Sequence, residues 1–305
     1  MTYRTSLKKV AQIRIAGPDH KGIIATITNF LFKNSLNIED IDQRIVDGYL
    51  IMNMVVDLND LRLSEAQFIK NLKTTAASMG MEAELRTVDE KRLKNVAFLV
   101  TKEKHCAQDI LEKMKKKIIK GIPVVVIGNH PDLKSLAKKY RVPFFHVPAH
   151  NRKEHETQVL KILHDHEVDL VVLARYMQIL SPDFAFRYEG RIINIHPSLL
   201  PAFPGPRSYH QAFNKGVEVV GVTAHFVTMD LDEGPIICQE SFRVNKSKDT
   251  VEAYIERGRK MEARVLSRAV QLFLANRLYL RRGKVIFNKQ MQALAQKTQS
   301  FYQGK

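Results

Sequence analysis

The sequence predicts an α/β protein in two parts: a small ferredoxin-like βαββαβ unit, then a Rossmann-like, mostly parallel α/β domain. Three observations carry that prediction. Within residues 1–90 the hydrophobic period changes in the order strand, helix, strand, strand, helix, strand. A charged linker follows at residues 89–94, which divides the chain into residues 1–90 and 91–305. From Asn95 onward, short apolar runs alternate with helical repeats, the pattern of parallel strands joined by crossover helices.

The elements read in order. Residues 10–15 alternate, with Val10, Gln12 and Arg14 on one face and Ala11, Ile13 and Ile15 on the other. Gly17, Pro18 and Gly22 mark a turn, and residues 23–33 carry helical spacing with Ile24, Ile27 and Leu31 in the apolar stripe. Residues 38–46 and 49–58 are strand-like and meet at Asp47-Gly48, a hairpin signal. Ser64 stands where it caps a helix that runs to Met79 and stops near Gly80; residues 81–88 close the unit as a strand. In the second part, strands at 96–100, 123–127, 143–147, 170–174 and 192–195 alternate with helices at 107–117, 131–140 and 154–164. Residues 221–227 alternate as another strand, 249–275 form a long helix, and 285–287 a last strand. The tail from Lys289 is polar and reads as helical or frayed.

Composition narrows the setting. No apolar run approaches the ~18 residues that span a bilayer, and charged residues interrupt the first nine positions, so a cytoplasmic protein is expected. Two cysteines, Cys106 and Cys238, suit a reducing compartment and make no metal cage. Net charge is +16, from 48 basic and 32 acidic residues. The densest basic run, residues 113–120, follows a helical pattern and reads as a solvated face. With no zinc finger, aromatic RNA-binding strand or basic-plus-heptad region, the charge suits a polyanionic small molecule better than nucleic acid.

The chemistry concentrates at two places. Residues 192–195 end a strand that presents Asn194 and His196 on one face before a Ser-, Pro- and Gly-punctuated loop. An amide and an imidazole side by side suit acyl chemistry: Asn donates to a developing oxyanion, and His donates or carries a proton near neutral pH. Farther on, the acidic turn 231–235 follows the strand 221–227, and a carboxylate there orients an imidazole or takes a proton from water. Strand ends are where sites of parallel sheets lie, which draws in the loops after Val100 and Ala174 as well.

Together the two segments resemble the folate-dependent formyltransferase family. Its pattern is N-x-H-x-S-L-L-P and then, about 30 residues on, H-x-V-x-x-x-x-D-x-G-P-[IV]. The matching residues here are Asn194, His196, Ser198, Leu199, Leu200, Pro201, His225, Val227, Asp232, Gly234, Pro235 and Ile236. The first part, through Gly17-Pro18-Asp19, Gly22-Ile23, Asn34 and Asn37-Ile38, resembles an ACT domain, a small ligand-sensing module. An ACT unit ahead of a formyltransferase-like domain, with Leu99-Val100, Lys102-Glu103, His105-Cys106 and residues 173–180, resembles the deformylase branch of the family. The resemblance implies hydrolysis of 10-formyltetrahydrofolate to tetrahydrofolate and formate, which feeds purine and one-carbon metabolism. It implies no metal or redox cofactor, the folate being the substrate.

By the same resemblance, Asn194 holds the formyl oxygen, His196 donates to it and manages the proton, and Asp232 positions water. Arg175, Tyr176, Met177, Gln178, Ile179, Leu180, Ser198, Val227 and Gly234 are expected to bind the substrate. His225 reads as structural, with His105, His130 and His146 as weaker site candidates. Asp19, Gly22, Ile23 and Asn37 are expected to bind a regulatory amino acid, glycine or methionine, in a homo-oligomer paired through the ACT units. Two other readings stand beside this one. Formyl transfer to an amine, glycinamide ribonucleotide or an aminoacyl-tRNA, is favoured by Pro197 and Leu199, which the chain shares with transferases. Against it, the loop 101–106 has no glycine to wrap a phosphate, and Glu103 repels one. The third reading is a non-catalytic regulator that binds an amino acid or folate.

Overall fold

The structure is a computed structural model that describes residues 10–46, 48–87, 92–281 and 283–287. The chain divides into two compact units, Met1–Arg92 and Leu93–Lys305. Residues 1–9, Asp47 of the hairpin signal, Val88 at the end of the expected strand 81–88, residues 89–91 of the linker and the tail from Lys289 lie outside the described residues.

The first unit runs β1 (Val10–Pro18), α1 (Ile23–Lys33), β2 (Asn37–Val46), β3 (Tyr49–Asp57), α2 (Glu65–Ala77) and β4 (Glu82–Thr87). Its strands form one antiparallel sheet in the order β2-β3-β1-β4, the ferredoxin-like arrangement. Alternation buries Ala11, Ile13 and Ile15 under the helices, against Ile27, Leu31, Phe68 and Leu72. Ser64 caps α2 by accepting from the Gln67 N–H at 3.3 Å. Gly22 opens α1 at φ 95°, a left-handed conformation that costs a residue with a Cβ far more.

Two expectations change here. The buried stripe of α1 contains Ile23 rather than Ile24, because the helix begins on Ile23 and that side chain is 1% exposed. Ile23 is thus core and has no side chain to offer a ligand. The four regulatory candidates also do not converge within one chain. Asp19 and Gly22 are exposed beside Gly48, whose carbonyl accepts from the Asp19 N–H at 2.8 Å. Asn37 registers with Asp57 and Val10, at the opposite end of the sheet, about 26 Å away along β1. Its amide donates instead to Glu39 Oε1 at 3.1 Å.

The second unit begins with β5 (Asn95–Val100), α3 (His105–Lys115), β6 (Ile122–Gly128), α4 (Lys134–Lys139) and β7 (Phe144–His146). It continues with α5 (Arg152–Asp165), β8 (Leu170–Leu173), α6 (Pro182–Arg187), β9 (Ile192–His196) and α7 (Ser208–Asn214). The last elements are β10 (Val219–Phe226), β11 (Ile236–Arg243), α8 (Val251–Leu274), β12 (Leu278–Arg281) and β13 (Lys284–Phe287). Seven strands form one sheet in the order β11-β10-β9-β8-β5-β6-β7. The five from β9 to β7 are parallel, while β10 runs antiparallel to both of its neighbours. Central β5 is buried on both faces: Val96, Phe98 and Val100 pack with α3 and α8, Ala97 and Leu99 with α5.

Short elements escaped the sequence. The six-residue α6 and seven-residue α7 are too brief to show a helical period. Residues 131–133 are a 3-10 turn ahead of α4, and α5 starts two residues early because Asn151 Oδ1 caps it. The last strand, β13, pairs with β12 in a separate hairpin.

One glycine of α8 makes a prediction with a reversed sign. Gly258 sits inside a long helix, where Ala normally stabilises by up to ~1 kcal/mol. A Cβ there would lie 2.0 Å from Tyr209 Oη, which donates to the buried Glu262 Oε1 at 2.7 Å. Gly258→Ala is therefore expected to destabilise the protein by about 1–3 kcal/mol in urea unfolding.

Candidate active site

The site is built by strand register. On the antiparallel pair, Asn194 of β9 stands directly opposite His225 of β10, and His196 opposite Thr223. Residues two apart share a face, so the amide and both imidazoles converge on one side of the sheet. A β-bulge between Ala224 and His225 offsets the register with β11 at this point. The loop between β10 and β11 then brings Asp232 back over the pair.

The hydrogen bonds settle the protonation pattern of His225. Its Nδ1 lies 2.9 Å from Phe226 O, which only accepts, so Nδ1 carries the hydrogen. Nε2 is then an acceptor and takes a hydrogen bond from Asn194 Nδ2 at 3.2 Å. That fixes the Asn194 amide with its NH₂ toward His225 and leaves the second N–H of the group to donate elsewhere. Burial holds the His225 pKa below its ordinary 6.5, outweighing the Phe226 carbonyl and the Asp232 charge.

His196 is 4% exposed and lies between acceptors on both sides. Nδ1 is 3.2 Å from Asp232 Oδ2, and Nε2 is 2.9 Å from Phe203 O, with Ser208 Oγ at 3.2 Å. A singly protonated ring satisfies one of the two acceptors, a doubly protonated ring both. Asp232 Oδ2 also accepts from the Gly205 N–H at 3.0 Å. Burial pushes the Asp232 carboxyl up, but the His196 hydrogen bond, the Gly205 N–H and the two imidazoles outweigh it and hold its pKa below 3.8. The carboxylate sits in strained backbone: Asp232, Phe203 and Arg207 have φ of 59°, 53° and 57°.

These groups open onto a cavity of about 530 Å³. Asn194, His196, His225 and Asp232 line one wall, the run 175–180 another, and Val227 to Asp232 a third. Leu180 is core, whereas Met177 and Ile179 are 56% and 62% exposed and face open space. Tyr176 is buried, with its hydroxyl on His155. Two expected substrate residues serve the frame instead. Ser198 is buried and donates to Ala202 O, and Gly234 packs so tightly that a Cβ would lie 1.7 Å from Phe226 O. His225, read as structural, is a full member of the site. The sequence hid it because a buried strand histidine looks like core and its partner lies 31 residues away.

His130 and His146 do not line the cavity, and His105 lies behind its wall. It meets Glu262, which lines the cavity with Tyr209 and Arg175; Glu262, 0% exposed, accepts from Tyr209 Oη and lies 2.9 Å from His105 Nε2 and 3.5 Å from Arg175 Nε. His105, Cys106 and Glu262 place three donor atoms within 4.8 Å of one another. They fit a metal poorly. Burial and the Glu262 charge push the Cys106 thiol well up, and the Glu262 oxygens are already engaged by Tyr209 Oη and His105 Nε2.

Comparison with known proteins follows the same division of the chain. The Formyl transferase family matches residues 94–270 and the ACT domain family residues 9–86. The chain is 36% identical over 292 residues to the formyltetrahydrofolate deformylase of Bacillus subtilis, covering 94% of this chain and 96% of that one. It is similar in structure to a formyltetrahydrofolate deformylase from Pseudomonas syringae, with a TM-score of 0.64, 31% identity, and 93% and 96% of the two chains covered. It is also similar to a glycinamide ribonucleotide transformylase from Symbiobacterium toebii, with a TM-score of 0.62 and 33% identity, over 67% of this chain and 97% of that one.

The lowered pKa of His225 sets a pH dependence. As pH falls through 6.5, the unfolded chain takes up a proton that the folded site refuses, so stability drops until the folded pKa is passed. His155, lowered by burial, acts in the same direction, while the Asp232 contribution is present above 3.8 and lost only at lower pH. The urea midpoint should fall between pH 7.5 and 5.5, and His225→Gln should make that fall smaller.

Proposed function

The chain belongs to the formyltetrahydrofolate deformylase family, and on that premise we propose that it hydrolyses 10-formyltetrahydrofolate to tetrahydrofolate and formate. The observation that carries this reading is the convergence of Asn194, His196 and Asp232 on one cavity, with His225 orienting the amide. In this mechanism the free N–H of Asn194 Nδ2 donates to the formyl oxygen and stabilises the negative charge that develops there. Asp232 holds the attacking water and accepts its proton. The water oxygen bonds to the formyl carbon, the C–N10 bond breaks, and formic acid leaves and ionises to formate, its proton passing to solvent, while the proton taken by Asp232 restores the one that His196 gives up. His196, paired to Asp232 through Nδ1, delivers the proton from Nε2 to the departing nitrogen, which requires its bond to Phe203 O to be exchanged. The exposed run through Met177 and Ile179 and the half-buried Val227 suit the flat pterin.

Transfer to an amine is the second reading, supported by the likeness to glycinamide ribonucleotide transformylases and by Pro197 in the cavity wall. One assay separates the two. Purified protein is expected to release formate from 10-formyltetrahydrofolate with no amine present; formyl loss that requires glycinamide ribonucleotide or a charged tRNA assigns it to the transferases. In the same assay Asn194→Ala, His196→Ala and Asp232→Asn should each lower turnover by at least about 10²-fold, and their combination by less than the product.

The ACT domain supports a regulatory role for the first unit. The turn at Asp19 to Gly22 opens α1, whose first N–H groups suit an amino-acid carboxylate, and paired ACT units make a homo-oligomer, consistent with a cytoplasmic enzyme. Glycine or methionine is the proposed effector, and it must bind the active and inactive states differently. Titrating each into the formate assay should shift the activity of the whole chain. Gly22→Val, which strains the φ 95° position at the start of α1, should abolish the shift.

A further inference from the structure

The cavity wall formed by residues 175–180 has no regular structure, yet its shape determines what the cavity accepts. The run lies between β8 and α6 and lacks the ladder or helical hydrogen bonds that would hold it. Side chains from elsewhere hold it instead. The Met177 N–H donates to Thr101 Oγ1 at 2.9 Å. At the start of the run Arg175 Nε lies 3.5 Å from Glu262, and two further anchors come from adjacent residues near the start of α5, both turned inward: His155 is 4% exposed and Glu156 8%.

The His155 anchor has one direction. Its Nδ1 faces Pro148 O at 3.2 Å and must donate, so Nε2 accepts from the Tyr176 hydroxyl in a close hydrogen bond. The two rings stack with centroids 6.1 Å apart. Burial lowers the pKa of His155 and raises that of Tyr176, which keeps both partners neutral. Glu156 Oε1 accepts from the Ser181 N–H at 2.6 Å, at the far end of the run, with Arg152 Nε at 3.5 Å. Asn151 Oδ1, bonded to the N–H groups of Lys153 and Glu154, sets the start of α5 and so the direction of both side chains. A carboxylate buried this deeply is expensive unless its bonds are kept.

We propose that His155 and Glu156 are positioning residues for the substrate: they hold the 175–180 wall in its folate-accepting shape through Tyr176 and Ser181, without touching the reacting atoms. This rests on the reading of the cavity as the folate site. The test is steady-state formate release together with calorimetry of tetrahydrofolate on the full chain, with melting temperatures as the control for folding. Tyr176→Phe removes the hydroxyl, Glu156→Ala removes the acceptor, and Glu156→Gln keeps an oxygen for the Ser181 N–H. The first two should raise KM and weaken tetrahydrofolate binding by about tenfold, several times more than they lower kcat. Glu156→Gln should restore both to within about threefold of the wild type. Wild-type protein that releases formate, alongside folded variants with wild-type KM and Kd, overturns the positioning role and leaves the functional reading standing. Wild-type protein that neither binds tetrahydrofolate nor releases formate overturns the functional reading, and this one with it.

Discussion

The pairing of β9 with β10 is the constraint on which the site depends. A shift of one residue would turn Asn194 and His196 to the opposite face from His225. Reversing the direction at β10 puts the strand end of β9 against a strand that departs from the same edge, and it lets the following loop fold Asp232 back over both imidazoles. The bulge at Ala224 and the bare Gly234 are the backbone adjustments that this return requires.

A second feature is the separation of two polar systems within one cavity. Asn194, His196, His225 and Asp232 form a set in which hydrogens remain to be given or taken. On another part of the lining Glu262 is enclosed by His105, Arg175 and Tyr209, with its oxygens engaged by His105 and Tyr209 and Arg175 Nε 3.5 Å away. Burying such a carboxylate contributes little to stability, since desolvation offsets most of the attraction. Its value is geometric: it ties α8 to α3, to α7 and to the start of the 175–180 run. Gly258 is the accommodation made for it in α8.

Much of this was legible in the residue order. Buried parallel strands such as β5 and β8 are short apolar runs that announce themselves, and the 3.6-residue period revealed α5 and α8. Asn194 and His196 stood out as polar groups at a strand end, and Asp232 joined them through the spacing that resembles the formyltransferase family. What stayed hidden was relational. Ser198 and Gly234 belong to the motif, yet they act on backbone: one closes the loop onto Ala202 and the other lets it pass Phe226. Ile23 and Asn37 looked like parts of one regulatory site until the register set them in a core and at a distant sheet end. His155 and Glu156 fell within the expected helix 154–164, where nothing local shows that both turn inward.

The same distinction bears on the acceptor. Pro197 and Leu199 are the residues that the chain shares with the transferases, and they differ in what they do here. Leu199 packs over the open face of Gly221, where a Cβ would come within 2.6 Å of it, so its size answers to β10 rather than to a second substrate. Pro197 does line the cavity, but it offers no hydrogen-bond donor with which to choose between water and an amine. The loop after β5 carries more weight. Its Glu103 is engaged by Arg259 at 2.7 Å and its His105 by Glu262. A phosphate-bearing amine entering there would meet a carboxylate and no glycine backbone to wrap it. Water needs none of these contacts. A cavity with an oxyanion donor, a proton carrier and a carboxylate, but no cradle beside them, is suited to it.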